Sequence, residues 1–145
     1  MFETIKGINL KKALLNEMIK FAKKSYPTEA VMLLFGQISQ DWAFLEVLEP
    51  MKNIRDSPIT FEIDPEEFYK IYLKNEDANR KFIGIFHSHP APSYPSQIDI
   101  PNMKVNQVIW LILGGSIAES DFAFKNIKGY IWRNDSVQEV EIQII

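Results

Sequence analysis

The chain of 145 residues contains no cysteine. Disulfides, thiolate metal sites and a cysteine nucleophile are therefore excluded, and the absence is compatible with a reducing cytosol. Histidine is nearly as scarce: His87 and His89 are the only two. An excess of positive charge is also missing. The net charge of -3 argues against a general nucleic-acid binder, which normally carries a basic surface. No apolar run is long enough to cross a bilayer, and Met1 to Gly7 lacks the apolar core of a signal peptide. Internal repeats, low-complexity segments and interdomain linkers are absent too. What is present is ordinary for a soluble globular protein: 46% hydrophobic and 24% charged residues. The expectation is a cytoplasmic protein with one domain over residues 1–145, large enough to bury a real core.

Leu10, Leu14, Met18 and Phe21 recur at helical spacing, with Asn9 as a candidate N-cap, Lys23 and Lys24 in the last turn and Pro27 beyond it. Ala30 to Phe35 is a fully apolar run ended by Gly36, which reads as a central strand. Trp42 to Leu48 should pair with it across a turn over Gly36 to Asp41. Ile59 to Ile63 alternates as a strand does. Asp64-Pro65-Glu66-Glu67 is a strong helix start, with a capping Asp and a Pro in the first turn, and Phe68, Ile71, Tyr72 and Asn75 continue it. Lys81 to Phe86 reads as a buried strand, Ala91 to Pro95 as a loop, and Val108 to Leu113 as a strand stopped by Gly114-Gly115. Phe122 to Phe124, Gly129 to Arg133 and Val137 to Ile144 read as strands that finish the chain. Helices and strands mix without regular βαβ alternation, which points to an α+β fold, a mixed α/β/α sandwich, rather than a doubly wound one.

The chemistry concentrates between Phe86 and Asp99. His87 and His89 sit two apart at the end of a buried strand, so both point to one face. Ser88 between them should point to the other face and serve structure. Asp99 follows after a Pro- and Ser-rich loop. Two imidazoles and a carboxylate form the ligand set of a catalytic zinc site with a position left open for water. Ser96-Gln97-Ile98-Asp99 also has the form of a capping box, a reading weakened by Pro101 and not exclusive of the first, since a ligand can sit in the first turn of a short helix. Ser96 is open in the same way, as a helix cap or as a hydroxyl aimed at the site. A zinc hydrolase needs a general base, and without cysteine a carboxylate is the obvious supplier. Glu29, Glu62, Glu66 and Glu67 are all eligible.

Taken together, Glu29, His87-Ser88-His89-Pro90, Ser96 and Asp99 resemble the JAMM (MPN+) zinc metalloprotease signature: a distant Glu, then His-x-His-Pro, then Ser-x-x-Asp. Pro27 to Gly36 is similar to the family's segment around its glutamate. Asn53 with Ser57 to Phe68 looks like the compact prokaryotic and archaeal subgroup, and Gly84 to His87 and Val108 to Leu113 also fit. The inserted segments of the larger eukaryotic deubiquitinases are not seen. One departure is the interval between His89 and Ser96, which is one residue shorter than the usual pattern and makes this loop tighter; the Ser-to-Asp interval is unchanged.

The resemblance implies a curved mixed β-sheet flanked by helices, the JAMM/MPN (cytidine-deaminase-like) fold. It implies Zn²⁺ held by His87, His89 and Asp99, Glu29 as the base that takes a proton from water and passes it to the leaving amine, and Ser96 as a hydrogen-bond donor to the oxyanion. The activity it implies is that of an isopeptidase or peptidase cleaving at the C-terminal tail of a ubiquitin-like or sulfur-carrier protein. Two alternatives are a hydrolase that releases an amino acid from a sulfur-carrier protein and an inactive MPN interaction scaffold. Neither nucleic acid nor membrane is an expected partner, and the oligomeric state stays open.

Overall fold

Two left-handed dipeptides set the register of much of the sheet. Gln40 and Asp41 have φ of 50° and 68°, and Asn134 and Asp135 have φ of 54° and 57°. Two consecutive left-handed residues match the right-handed twist of paired strands, and Asn and Asp tolerate that conformation better than most. The first dipeptide joins β2 (Val31–Ser39) to β3 (Trp42–Met51), with Ser39 opposite Trp42. The second joins β6 (Ile127–Arg133) to β7 (Ser136–Ile144), with Arg133 opposite Ser136. The computed structural model describes residues 2–89, 93–115 and 126–145. The expected strand over Phe122 to Phe124 and the expected loop at Ala91 and Pro92 lie outside these residues.

The remaining strands are β1 (Gly7–Leu10), β4 (Lys81–His89) and β5 (Ile109–Gly114). Their order is β1-β3-β2-β4-β5-β6-β7, and β1 closes the sheet by pairing in parallel with both β3 and β7. β4 and β5 also run parallel, and the other pairs are antiparallel. Arg133 holds the segment entering β1 by donating from Nη1 to the carbonyls of Phe2 and Ile5 at 3.2 and 2.7 Å. With helices α1 (Lys12–Ser25), α2 (Pro65–Asp77) and α3 (Asp99–Val105), this is the mixed-sheet α+β fold anticipated.

Alternation along the central strands divides the core in two. Met32 and Leu34 of β2, Phe86 of β4 and Leu111 and Leu113 of β5 face α1, which contributes Leu15, Met18 and Ala22. Val31, Leu33, Phe35, Ile85, Trp110 and Ile112 face the other way, where Met103 of α3 and Phe68 and Ile71 of α2 cover them. Strands buried on both faces must be apolar throughout, which is why the runs at Ala30 and Val108 are so uniform. Gly84 has a packing reason: a Cβ there would lie 2.5 Å from the Ile109 carbonyl oxygen.

Three local expectations are corrected. Asn9 is not a helix cap. It lies in β1, opposite Phe44 and Gln143, and α1 starts after Lys11 with no side-chain cap; a four-residue strand preceding an amphipathic helix lent Leu10 to the helical pattern. Gly36 does not end β2, which passes it through a bulge and continues to Ser39, so the turn shrinks to Gln40-Asp41. Ile59 to Ile63 forms no strand. Phe61 is buried and Ile59 exposed, as alternation required, but among the described residues this backbone has no strand partner and bonds instead to the Asn53 side chain, described below, and to Ile54 N through the Glu62 carbonyl. The start of α2 is as expected, with Asp64 Oδ1 accepting from Glu66 N at 3.0 Å and Pro65 in the first turn.

The far end of α2 is tied to the sheet by a buried polar side chain. Asn75 is fully buried. Its Nδ2 donates to Glu49 Oε2 at 2.8 Å and to the Ile71 carbonyl at 2.9 Å, and its Oδ1 accepts from Arg80 Nε at 2.8 Å. Lys74 Nζ lies 2.8 Å from the same Glu49 oxygen. Burial of Glu49 favours the neutral acid, but the hydrogen bonds from Lys74 and Asn75 and the charges of Lys74 and Arg80 outweigh it and hold the carboxyl below its ordinary range. Replacing Asn75 with Ala is expected to cost about 2 kcal/mol, because it strands buried partners, and urea unfolding measures this. The carboxylate's contribution is complete above its unfolded pKa of about 4.3 and disappears as pH falls through the lowered folded value. The gap between parent and Asn75→Ala should therefore narrow on acidification; a gap constant down to strongly acidic pH would show that Glu49 is not part of it.

Candidate metal centre

The site begins where β2 and β4 stop being a plain ladder. Val31 is opposite His87. One step on, Ser88 N donates to the Ala30 carbonyl at 3.1 Å, and Ser88 Oγ accepts from Ala30 N at 3.0 Å. Ser88 thus faces away from the histidines and closes the last rung of the pair, the structural role expected of it. His87 and His89 project to the opposite face, that of Ile85 and Trp110. The same alternation puts Glu29, two residues before Val31, on the histidine side. Its Oε1 comes within 2.8 Å of His87 Nδ1.

Asp99 arrives from the other direction as the first residue of α3. Ser96 N donates to Asp99 Oδ2 at 2.9 Å, and Asp99 N donates to Ser96 Oγ at 3.1 Å. This is a reciprocal capping box. Pro101 does not prevent it: the box closes ahead of the proline, and α3 runs on to Val105. The helix start and the metal reading hold together: the capping carboxylate is also 3.6 Å from His87 Nε2. The ligand atoms of His87, His89 and Asp99 all lie within 4.8 Å of one another, and all three residues are buried. Asp99 thus lies with the histidines although the interval from His89 to Ser96 is short.

Among the eligible carboxylates the structure brings only Glu29 to this cluster. Glu62 pairs with Arg55 at 2.7 Å on the surface, and Glu66 and Glu67 lie exposed in the first turn of α2. Glu29 is 3% exposed. Burial raises its pKa above the ordinary carboxylate range; contact with His87 opposes that rise and the charge of Asp99 adds to it. For His87 burial pulls the pKa down, but the close Glu29 and Asp99 carboxylates prevail and raise it.

His87 itself tests whether these residues suit a metal ion. It is fully buried, yet among the described residues neither of its nitrogens has a directed hydrogen-bond partner, although Nδ1 lies 2.8 Å from Glu29 Oε1. Unsatisfied buried polar atoms cost roughly 1–3 kcal/mol each, so the site is arranged for something that supplies the missing bonds. A metal ion does so, and the donors, two imidazoles and one carboxylate, fit. The pocket behind them is aromatic: the His87 ring lies 5.2 Å from Phe61 and 5.7 Å, edge-on, from Trp110.

Phe61 and Asn53 belong to the residues that sequence patterning left without a role. Both come from the segment between β3 and α2, and a buried Asn has no signature distinguishing it from the many that lie in exposed turns.

Comparisons with known proteins show the family. The family model for prokaryotic homologs of the JAB domain matches residues 11–127. A desampylase from Pyrococcus furiosus is 47% identical over 64 residues, 43% of this chain and 46% of that protein. A CysO-cysteine peptidase from Mycobacterium tuberculosis is 32% identical over 98 residues, 67% of this chain and 66% of that protein. The matches thus span less than two thirds of these relatives' lengths. A Desulfitobacterium hafniense protein solved in solution superposes with a TM-score of 0.78 at 28% identity, covering 95% of this chain and 92% of that one. A JAB1/MPN domain protein from Archaeoglobus fulgidus shares the fold, with a TM-score of 0.59 at 21% identity, covering 95% and 96% of the two chains. With a buried His87–His89–Asp99 cluster beside Glu29, and a family match over most of its length, the chain belongs to the prokaryotic JAB domain family.

Proposed function

We propose that this protein is a zinc-dependent peptidase or isopeptidase that cleaves at the C-terminal tail of a ubiquitin-like or sulfur-carrier protein. The observation that carries the proposal is the buried Glu29 carboxylate beside a three-donor cluster of His87, His89 and Asp99. Zinc is favoured because a nitrogen- and oxygen-rich set of three protein donors is typical of catalytic sites with an open position, whereas structural zinc sites are usually four-coordinate and thiolate-rich. The substrate class takes its support from the two relatives named desampylase and CysO-cysteine peptidase.

When bound, the zinc supplies a Lewis acid that brings the pKa of water to about 7. Glu29 takes the proton from the attacking water and returns it to the leaving amine. Ser96 Oγ already accepts from Asp99 N, which leaves its hydroxyl hydrogen free to be donated to the oxyanion that develops at the scissile carbonyl. Such a donor is worth roughly 3 kcal/mol. Phe61 and Trp110 flank His87, and an apolar wall of this kind restrains a ligand imidazole without competing for its nitrogens. The second reading, release of an amino acid from a sulfur-carrier protein, uses the same residues, and a panel of lysine-linked and amino-acid-linked adducts separates the two.

Elemental analysis of the untagged protein should find about one zinc per chain, with clear loss in Asp99→Ala. No zinc in the parent after supplementation would remove the metallopeptidase reading and favour a scaffold. Glu29→Gln should keep zinc and fold while losing roughly 10²–10⁴-fold in turnover; full activity in that variant would remove Glu29 as the base. Ser96→Ala should lose about 10²–10³-fold in kcat, with Asp99 still bound to zinc.

A further inference from the structure

Glu29 stands one residue beyond the last rung of the sheet. The Ala30–Ser88 pair ends the β2–β4 ladder, so sheet bonding fixes neither backbone polar group of Glu29. Both are held instead by the segment between β3 and α2. Glu29 N donates to the Ser57 carbonyl at 2.7 Å. The Glu29 carbonyl accepts from Asn53 Nδ2 at 3.0 Å.

Asn53 is the centre of that segment. It is 7% exposed. Its Nδ2 also donates to the Thr60 carbonyl at 3.0 Å and, more distantly, to the Ser57 carbonyl at 3.4 Å. Its Oδ1 accepts from Arg55 N and Glu62 N, both at 3.1 Å. This amide, with the backbone bond from Ile54 N to the Glu62 carbonyl at 2.9 Å, ties the segment into a closed loop, and its donor face is spent mainly on Glu29 and on the residue before Phe61. Phe61 packs on the His87 ring at 5.2 Å. The two groups that address His87 from this side, the carboxylate and the phenyl ring, share one anchor.

We propose that Asn53 is a positioning residue for hydrolysis: its amide fixes the backbone of Glu29 so that the carboxylate meets the water at the metal centre. The inference rests on the reading of Glu29 as the base. Misplacing a reacting group by about 1 Å can cost on the order of 100-fold, and Glu29 has no sheet bond to prevent such a shift. A loop staple alone would need the accepted bonds from Arg55 and Glu62, but not the donation to Glu29.

The test uses the full chain loaded with zinc and a ubiquitin-like protein joined through its C-terminus to a lysine amine. In Asn53→Asp the two accepted bonds persist, while an oxygen that cannot donate faces the Glu29 carbonyl. Asn53→Ala removes both sets, and Arg55→Gln breaks only the surface pair with Glu62. We expect Asn53→Asp and Asn53→Ala to lower kcat roughly 100-fold with KM within about three-fold, zinc content unchanged, and Arg55→Gln near the parent. Exchange of the Glu29 amide, followed by NMR, should quicken about ten-fold or more in both Asn53 variants while amides of Leu33 and Ile85 hold. Parent-like kcat in Asn53→Asp, zinc lost in step with activity, or an unaltered Glu29 amide would each overturn the proposal. Should Asn53→Ala fail to fold, Asn53→Asp decides alone. A parent inert on every adduct overturns the peptidase reading instead, and the Glu29 amide then decides whether Asn53 holds that residue.

Discussion

The site depends on a single cross-strand pair. Ala30 and Ser88 exchange two hydrogen bonds, one ending on a backbone carbonyl and the other on the serine hydroxyl. Because side chains alternate along strands, fixing this rung fixes the faces of both neighbours. Glu29 and Val31 on β2 and His87 and His89 on β4 fall together on the side away from α1. A one-residue slip would send the histidines into the apolar layer against α1, where no carboxylate is buried with them among the described residues. The pairing of Glu29 with the histidines is thus a consequence of sheet register, and that register is held by two largely apolar strands packed on both faces.

The opposite wall is built with similar economy. Asp99 has a local duty as the acidic member of a capping box and a second one toward His87. The box sets the entry of α3, and α3 is anchored by Met103, fully buried under Trp110 and its neighbours. The carboxylate's place is thereby linked to the core rather than to the loop before Ser96. The reach of Asp99 is decided by the helix it starts, and the helix by its packing.

His87 is where stability and chemistry oppose each other. Full burial among Phe61, Trp110 and His89 disfavours charge, while two carboxylates within 4 Å favour it. Apolar residues of similar shape would satisfy the core more cheaply. Two imidazoles and two carboxylates held there suit a metal ion that uses their lone pairs, and buried, pre-aimed donors need little reorganisation when one binds. Asn53 extends the same arrangement outward, replacing missing sheet bonds at Glu29 with side-chain ones.

The sequence by itself determined the elements whose signals are local. The apolar runs of β2, β4 and β5, the Asp64-Pro65 start of α2, the facing of His87 and His89 and the opposite facing of Ser88 all follow from periodicity, caps and alternation over a few residues. The candidate metal-ligand set was legible too, because its two histidines are the only ones in the chain and sit two apart. The short β1 was hidden because four residues carry too little pattern to compete with the helix that follows. Ile59 to Ile63 had a strand's alternation but no strand partner, and alternation reports which side is buried, not what the backbone bonds to. Residue patterning left Glu29 level with Glu62, Glu66 and Glu67; the family resemblance pointed to Glu29, and the β2–β4 register, which joins residues 58 positions apart, is what brings it to the histidines. Closure of the sheet by β1 and the conversion of Asn53 into the hub of a loop were likewise decided only in three dimensions. Each depends on a partner distant in the chain, Asn53 through its bond to Glu29, 24 positions away, and no short window of sequence contains both halves of such a contact.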